Sequence, residues 1–152
     1  CIPNRENHLW FQADEVGTWY GQCAEFCGSQ HAKMLIRVIS EKEVDFNSWV
    51  ANQQLQAAEI PTEANGKETF LSLACINCHN IQGVTTVGGF GPDLTHLMSR
   101  DTIASGAANN STDNLRLWLQ NPDSIKEGAL MPNMMLSDKE IDALMEYLQT
   151  LK

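Results

Sequence analysis

The stretch Cys75-Ile76-Asn77-Cys78-His79 decides how the second half of this chain is interpreted. Two cysteines separated by two residues and followed at once by a histidine form the pattern of covalent haem attachment, in which both thiols bond the haem vinyl groups and the imidazole ligates iron. A cysteine pair at this spacing also occurs in redox-active dithiols and in halves of zinc sites. The first requires a βαβ setting and the second a further ligand pair after Cys78, and the sequence offers neither. The motif therefore predicts haem c.

A haem that only carries electrons needs a second axial ligand, and methionine in that position raises its potential. Met145 lies on the apolar side of a predicted helix, which favours a role in core packing. Met131 precedes Pro132 and follows Gly128, in a stretch that predicts an extended strap able to cross the haem face. We expect Met131 to be the ligand. Met134 is the alternative, and the other candidates are Met98 and Met135.

Helical patterns surround the motif and give an all-α order. They predict helices over residues 66–74, 94–98, 112–120 and 137–151, with a Gly/Pro-rich loop over 83–92 and an irregular stretch over 122–136. Ser137 and Glu140 form a capping box that opens the last helix. The apolar side of that helix consists of Ile141, Leu144, Met145 and Leu148.

Residues 66–152 resemble a class I cytochrome c domain, because Gly91-Pro92-Asp93-Leu94 follows the haem motif and Leu130-Met131-Pro132 precedes the last helix. The resemblance implies that the carbonyl of Pro92 binds the free nitrogen of His79 and that Met131 is the distal ligand. It also implies that Trp118 lies against the haem, and that Phe70 and Tyr147 pack where the first and last helices cross.

The first half of the chain is predicted to form strands joined by a loop rich in soft ligands. The strands are expected over residues 8–12, 18–22 and 35–39, with a turn at 15–17 and the loop at 23–34. Ser40 and Glu43 have the spacing of a capping box and predict a helix to about Gln56. Its expected apolar side is Val44, Trp49, Val50 and Leu55.

The loop carries two thiols, one imidazole and one thioether, and this combination selects copper. They belong to Cys23, Cys27, His31 and Met34. Cysteines at positions i and i+4 can bridge two metal ions, with the histidine and the methionine each completing one of them. The alternatives are a disulfide or a zinc loop, and neither requires the final methionine.

The loop closely resembles the binuclear CuA loop of cytochrome c oxidase subunit II over residues 7–50. By that resemblance Cys23 and Cys27 bridge the coppers, His31 and Met34 are terminal ligands, and Glu25 gives its peptide carbonyl to copper. The Glu25 side chain is further implied to help hold a magnesium ion at the contact with subunit I.

The resemblance also calls for a second histidine well upstream of the first cysteine, and no residue here matches it. His8 is too near Cys23 and lies in a predicted strand. We therefore expect the chain to begin inside a cupredoxin domain, with the earlier strands, that histidine and the membrane helices before Cys1, so that residues 1–152 alone lack an intact CuA centre. The expected organisation is an incomplete β, cupredoxin-like part with a helix over residues 1–56, a linker over 57–65, and an all-α cytochrome c domain over 66–152.

Charge and composition limit the classes of partner that this chain is expected to bind. The net charge is −9, and no Lys/Arg cluster suited to phosphates appears, which argues against nucleic acid. No window approaches the roughly 20 apolar residues of a membrane span, so the stretch itself is expected to be soluble.

The resemblances imply electron transfer from an external donor, such as a cytochrome c or a bc1-type complex, through haem c to CuA and on to oxidase subunit I. The chain would then be the electron-entry subunit of a cytochrome c oxidase, at the extracytoplasmic, periplasmic face of the inner membrane. One alternative is the C-terminal region of a nitrous-oxide reductase with a fused cytochrome, although Glu25 between the cysteines suits the oxidase and a tryptophan would suit the reductase. The other alternative is a stand-alone soluble c-type carrier.

Overall fold

An antiparallel pair of strands holds the cysteine-rich loop of the first half. The computed structural model describes residues 4–57 and 64–152. Strand β1, Gly17–Gln22, pairs with strand β2, Leu35–Ser40, so that Gln22 lies opposite Leu35. Both strands were predicted, and both are confirmed. Because Gln22 and Leu35 are neighbours in the sheet, the two ends of the loop at 23–34 start side by side.

The strand predicted over residues 8–12 is wrong. Residues 5–13 have no regular structure, and the side chains of Leu9 and Trp10 are 91% and 87% exposed. A strand forms only where its backbone groups find a partner. Within the described residues, the sheet of this half consists of β1 and β2 alone.

Helix α1 spans Glu43–Gln53 and ends three residues before the predicted end at Gln56. The predicted capping box is wrong, because Ser40 belongs to β2 and Lys42 occupies the N-cap without a side-chain hydrogen bond. Acidic residues in the first turn still favour the positive end of the helix dipole. The expected apolar side is not buried: Val44, Trp49 and Leu55 are exposed, and only Val50 is partly covered.

Four helices form the second half, and three of them match predicted ones. They are α2 at Ala64–Ser72, α3 at Thr112–Gln120, α4 at Pro122–Ile125 and α5 at Asp138–Leu148. The bounds of α3 are those predicted, whereas α4 is a single turn inside the stretch expected to be irregular. Residues 58–63 of the predicted linker lie outside the described residues, and residues 64 and 65 belong to α2, so the domain boundaries stay a prediction.

Helix α5 has the predicted start. The hydroxyl of Ser137 accepts a hydrogen bond from the backbone of Glu140, whose carboxylate accepts one from the backbone of Ser137 at 2.7 Å. The Ser137 hydroxyl also donates to this carboxylate, at 2.6 Å. This bond first, and the backbone bond second, lower the pKa of Glu140 below its usual value. The predicted apolar side of the helix is confirmed as buried.

The helix predicted over residues 94–98 is wrong, and a 3₁₀ turn at Leu97–Ser99 stands in its place. Local polar bonds hold the preceding residues in another conformation. The carboxylate of Asp93 accepts from the backbone N–H of Thr95 at 2.8 Å, and the Thr95 hydroxyl accepts from the backbone N–H of Gln82 at 2.8 Å.

A small hairpin modifies the all-α expectation for this half. Strand β3, Thr102–Ile103, pairs with strand β4, Ala108–Asn109. Its turn contains Ala104, Ser105 and Gly106, which all have positive φ. Left-handed conformations at consecutive residues are not readable from helical periodicity.

The core of the second half lies between α2, α3 and α5. Phe70 of α2 and Tyr147 of α5 are buried with ring centroids 6.0 Å apart, as the resemblance implied. The two helices approach closely at Gly66, where an added Cβ would lie 2.2 Å from the carbonyl oxygen of Ala143. The buried cluster also contains Ile81, Leu94, Leu97, Ile103, Leu115, Leu119, Ile141, Leu144, Met145, Leu148 and Leu151.

We expect Gly66→Ala to destabilise the protein. Alanine is favoured over glycine in helices by about 1 kcal/mol, but the clash here is with backbone that cannot rotate away, and overpacking of this kind costs about 1–3 kcal/mol. The matched control is Gly89→Ala, because nothing lies within 4 Å of a Cβ at that position. Urea unfolding of the haem-loaded protein should show a lower midpoint for Gly66→Ala alone. Equal midpoints would contradict close packing of α2 on α5.

Candidate haem and copper sites

A 3₁₀ turn over Ala74–Asn77 gathers the residues of the haem motif. The carbonyl of Cys75 accepts hydrogen bonds from the backbone N–H groups of Cys78 and His79, at 3.2 and 2.9 Å. Both cysteines are free thiols and partly buried. Burial raises the pKa of the Cys75 thiol above its usual value. The turn thus places two unpaired thiols and an imidazole on one short segment.

The imidazole of His79 is held by the backbone of the following loop. Its Nδ1 lies 2.8 Å from the carbonyl oxygen of Pro92. A carbonyl only accepts, so Nδ1 carries the proton and Nε2 keeps a lone pair for a metal. This contact supports the role that the resemblance implied for Pro92.

Two glycines let the loop approach the motif. A Cβ on Gly91 would lie 2.6 Å from Cε1 of His79, and one on Gly88 would lie 2.6 Å from the backbone of Cys78 and His79. The sequence predicted a Gly/Pro-rich loop here, with a role for Pro92, but the close approach at Gly88 was missed. The consecutive glycines at 88 and 89 were the available signal, since glycine often marks close approach of two backbones.

The candidate methionines differ in burial. Met131 and Trp118 are partly buried and pack against the core cluster, as does Met98. Met134 is partly buried as well, whereas Met135 is 89% exposed and has a φ of 52°. Met145 belongs to the core. The choice of Met131 over Met134 stays a prediction. Two free thiols, an imidazole with Nε2 available and a partly buried thioether are the donors that a c-type haem requires.

Three ligands of the predicted copper loop converge. The sulfurs of Cys23 and Cys27 lie 3.5 Å apart, and the Cys27 sulfur lies 3.7 Å from Nδ1 of His31. Two thiolates on one tetrahedral metal ion would be separated by about 3.8 Å, given metal–sulfur bonds of about 2.3 Å, so the spacing suits a shared metal. Both thiols are free, which leaves no disulfide here. The hydrogen bond to Cys23 raises the pKa of the Cys27 thiol.

Of the other two predicted copper ligands, Glu25 contacts this cluster. The carbonyl oxygen of Glu25 lies 3.1 Å from the Cys23 sulfur, and the Glu25 side chain is exposed. Met34 follows the turn at His31–Lys33 and is 45% exposed. His8 lies apart, 3.8 Å from Glu6 and well exposed. Sulfur, imidazole and a nearby carbonyl fit copper better than a harder ion.

Comparison with known proteins agrees with this geometry. Residues 63–152 match the cytochrome c family model, and residues 1–42 match the model of the cytochrome C oxidase subunit II periplasmic domain. The cytochrome c oxidase subunit 2 of Alkalihalophilus pseudofirmus is 36% identical over 155 residues, which cover 99% of this chain and 44% of that protein. Subunit 2 of Bacillus sp. strain PS3 is 31% identical over 98% of the chain and 45% of its own length. Subunit 2 of Bacillus subtilis is 33% identical over 88% and 39%. The chain spans less than half the length of these relatives.

A haem-attachment turn whose histidine is held by a backbone carbonyl, on helices that cross through Phe70 and Tyr147, defines a c-type cytochrome domain. The chain belongs to the cytochrome c family, joined in one polypeptide to the periplasmic domain of cytochrome c oxidase subunit II. The cytochrome c match accordingly implies haem c, and the subunit II match implies CuA in the full domain and a location outside the cytoplasm. The group formed by Cys23, Cys27 and His31 could hold a metal ion. Among the helices of the described residues, none is long and apolar enough to cross a membrane.

Replacing each candidate methionine in turn should show whether Met131 or Met134 is the distal ligand. Met131→Leu is expected to abolish the sulfur-to-iron absorption band of the oxidised protein, because leucine has no donor atom. Met134→Leu is its matched control and should leave the band intact. Optical spectra of both variants check this. Loss of the band in Met134→Leu, with retention in Met131→Leu, would move the ligand to position 134.

Proposed function

We propose that this chain takes electrons from an external donor at haem c and passes them to CuA, which delivers them to subunit I of a haem–copper oxygen reductase. The main support for this proposal is that one polypeptide holds both the haem-attachment turn and the Cys23–Cys27–His31 cluster. The relatives named cytochrome c oxidase subunit 2 support the same assignment over both parts of the chain.

In the proposed haem site, Cys75 and Cys78 form the thioethers and His79 ligates iron through Nε2. Pro92 fixes the ring through the hydrogen bond to Nδ1. Met131 ligates iron on the opposite face. Trp118 covers the haem from α3. A ring locked by a backbone carbonyl changes little when the iron changes charge, which suits rapid electron transfer.

In the proposed copper site, Cys23, Cys27, His31, Met34 and the carbonyl of Glu25 would hold the copper ions, together with a histidine from the preceding part of the family domain. The exposed side chain of Glu25 would help to hold a magnesium ion at the contact with subunit I. When bound, the two cofactors would supply one-electron redox chemistry. Oxygen reduction belongs to subunit I.

The proposed organisation follows from these roles. Residues 1–56 form the later part of a cupredoxin-like CuA domain, 57–65 connect, and 66–152 form a class I cytochrome c domain. The partners are subunit I and a donor such as a cytochrome c or a bc1-type complex, at the periplasmic face of the inner membrane, with the membrane helices in the preceding part of the subunit.

The alternative of a nitrous-oxide reductase is not favoured, because Glu25 stands between the cysteines and the relatives are oxidase subunits. A stand-alone carrier does not account for the converging copper ligands. A carrier and an oxidase subunit differ in one measurable property, since only the subunit changes the rate of an oxidase to which it is attached.

Deleting residues 66–152 from the full-length subunit should slow oxygen consumption from the natural donor by at least about tenfold, because the electron then has to reach CuA without the tethered haem. The same enzyme should keep its rate with a small artificial donor that reduces CuA directly, which controls for assembly. Oxygen uptake with each donor measures both rates. An undiminished rate with the natural donor would show that haem c is not the entry point.

A further inference from the structure

Among the residues that the structure describes, hydrogen bonds join the first part of the chain, including the start of the linker, to the cytochrome part at three places. At the first, the backbone N–H of Ala57 donates to the carbonyl of Gln82 at 3.1 Å, and Nε2 of buried His96 lies 3.2 Å from the carbonyl oxygen of Leu55. The others involve Gln30 and Arg37. Three well-separated contacts fix the orientation of one body on another, whereas a single contact would leave it free to swivel.

The contact at Gln30 joins the copper loop to the methionine strap. Gln30 directly precedes His31, and its Nε2 donates to the carbonyl of Glu127 at 2.9 Å. Glu127 lies four residues before Met131. The peptide group between Glu127 and Gly128 is held in place, because the N–H of Gly128 donates to the carboxylate of Asp123 at 2.8 Å and Gly128 has a φ of 75°. A predicted copper ligand and a predicted iron ligand thus lie on segments that are hydrogen-bonded together.

The contact at Arg37 joins β2 to the hairpin of the cytochrome part. Nη1 of Arg37 donates to the hydroxyl of Thr102 at 2.7 Å. The guanidinium lies over the ring of Tyr20, its neighbour in the sheet, at 5.7 Å from the centroid. A Cβ on Gly106, where φ is 90°, would lie 3.0 Å from Nη1. The guanidinium is therefore supported on one side by a ring and fits against a turn that has no side chain.

These contacts use neutral acceptors. No ion pair joins the two parts within residues 4–57 and 64–152, because His8–Glu6 and Arg116–Asp142 each lie within one part. The chain carries a net charge of −9, with acidic residues in both parts. Attraction between opposite net charges does not hold such parts together, so their orientation depends on directional hydrogen bonds.

We propose that Gln30 and Arg37 are positioning residues that dock the cytochrome part on the copper loop in one orientation. The partner of this surface is the chain's own cytochrome domain. Because the domain is held in place, the stretch that carries Met131 stays next to the copper loop, and the haem does not have to find the copper site by diffusion. The inference rests on the proposed function, since it concerns the step from haem c to CuA.

The test uses the assembled oxidase with its full-length subunit. A photoexcited ruthenium complex reduces haem c in a light pulse, and absorbance follows haem reoxidation and copper reduction. The variant is Gln30→Leu/Arg37→Leu. Its matched control is Gln120→Leu/Arg116→Leu, which removes the same chemical groups from the cytochrome surface away from the contact. The midpoint potential of haem c and hydrogen–deuterium exchange over residues 102–109 are measured in parallel.

The dock variant should transfer the electron internally roughly tenfold more slowly, as expected for two lost hydrogen bonds. Exchange over residues 102–109 should be faster, and the haem potential unchanged. The control should match the unaltered enzyme. An undiminished internal rate in the dock variant overturns the proposal whatever the exchange shows. Slowing accompanied by a changed haem or copper spectrum also overturns it, because the residues would then support the sites instead of the dock.

Ionic strength gives an independent readout. Between roughly 0.01 M and 0.1 M salt the screening length falls from about 30 Å to about 10 Å. The internal rate of the unaltered enzyme should stay constant over this range, and a steep fall would overturn a dock made of neutral hydrogen bonds. Failure of the proposed function looks different: the copper would then not be reduced after haem c in any form of the enzyme.

Discussion

The hydrogen bond from Nδ1 of His79 to the carbonyl of Pro92, at 2.8 Å, constrains the whole cytochrome part. It fixes the direction of the imidazole and leaves Nε2 for iron. The bond requires the loop to lie directly on the motif, and this is possible only because residues 88 and 91 lack side chains. The backbone N–H of Leu94 then donates to the carbonyl of Asn80 at 2.8 Å, so the loop is held on both sides of Pro92.

The same segment continues into the contact with the copper-bearing part. Thr95 binds the backbone of Gln82, and Gln82 accepts from Ala57. The ring nitrogens of His96 lie 2.9 Å from the carbonyl oxygen of Lys152 and 3.2 Å from that of Leu55. The residues that hold the haem ligand and those that meet the first part of the chain therefore form one hydrogen-bonded run, which couples the orientation of the two parts to the haem site.

Sequence reasoning succeeded where the signal was local. Helix α3 and the capping box of α5 follow from periodicity and from Ser137 and Glu140, and β1 and β2 follow from alternating and β-branched residues. The cysteines and histidines of both predicted sites were proposed from residue type, spacing and resemblance, and the structure brings Cys23, Cys27 and His31 together. Residues 8–12 have strand composition but find no partner strand among the described residues, and residues 94–98 look helical but bond instead through Asp93 and Thr95. The first error arose because a strand needs a partner strand, and the second because the side chain of Asp93 offers the backbone a local hydrogen bond outside a helix.

The contacts of Gln30 and Arg37 could not be predicted, because a glutamine in a loop and an arginine in a strand are ordinary surface residues until their acceptors are known. Their acceptors, the carbonyl of Glu127 and the hydroxyl of Thr102, are far from Gln30 and Arg37 in the sequence. Such acceptor groups are common in any chain, so nothing in the sequence marks these two. The residues that carry chemistry were thus legible in the sequence, whereas those that relate the two sites in space were not.

We propose that the full-length subunit holds a covalent haem and a binuclear copper centre on one polypeptide. The most direct measurement is the haem and metal content of the purified full-length subunit, recorded with its optical and electron paramagnetic resonance spectra. The account predicts one haem iron that stays on the protein after acid–acetone extraction, and two coppers with a mixed-valence signal. Haem that extracts freely, or zinc in place of copper at the cysteine loop, would contradict it.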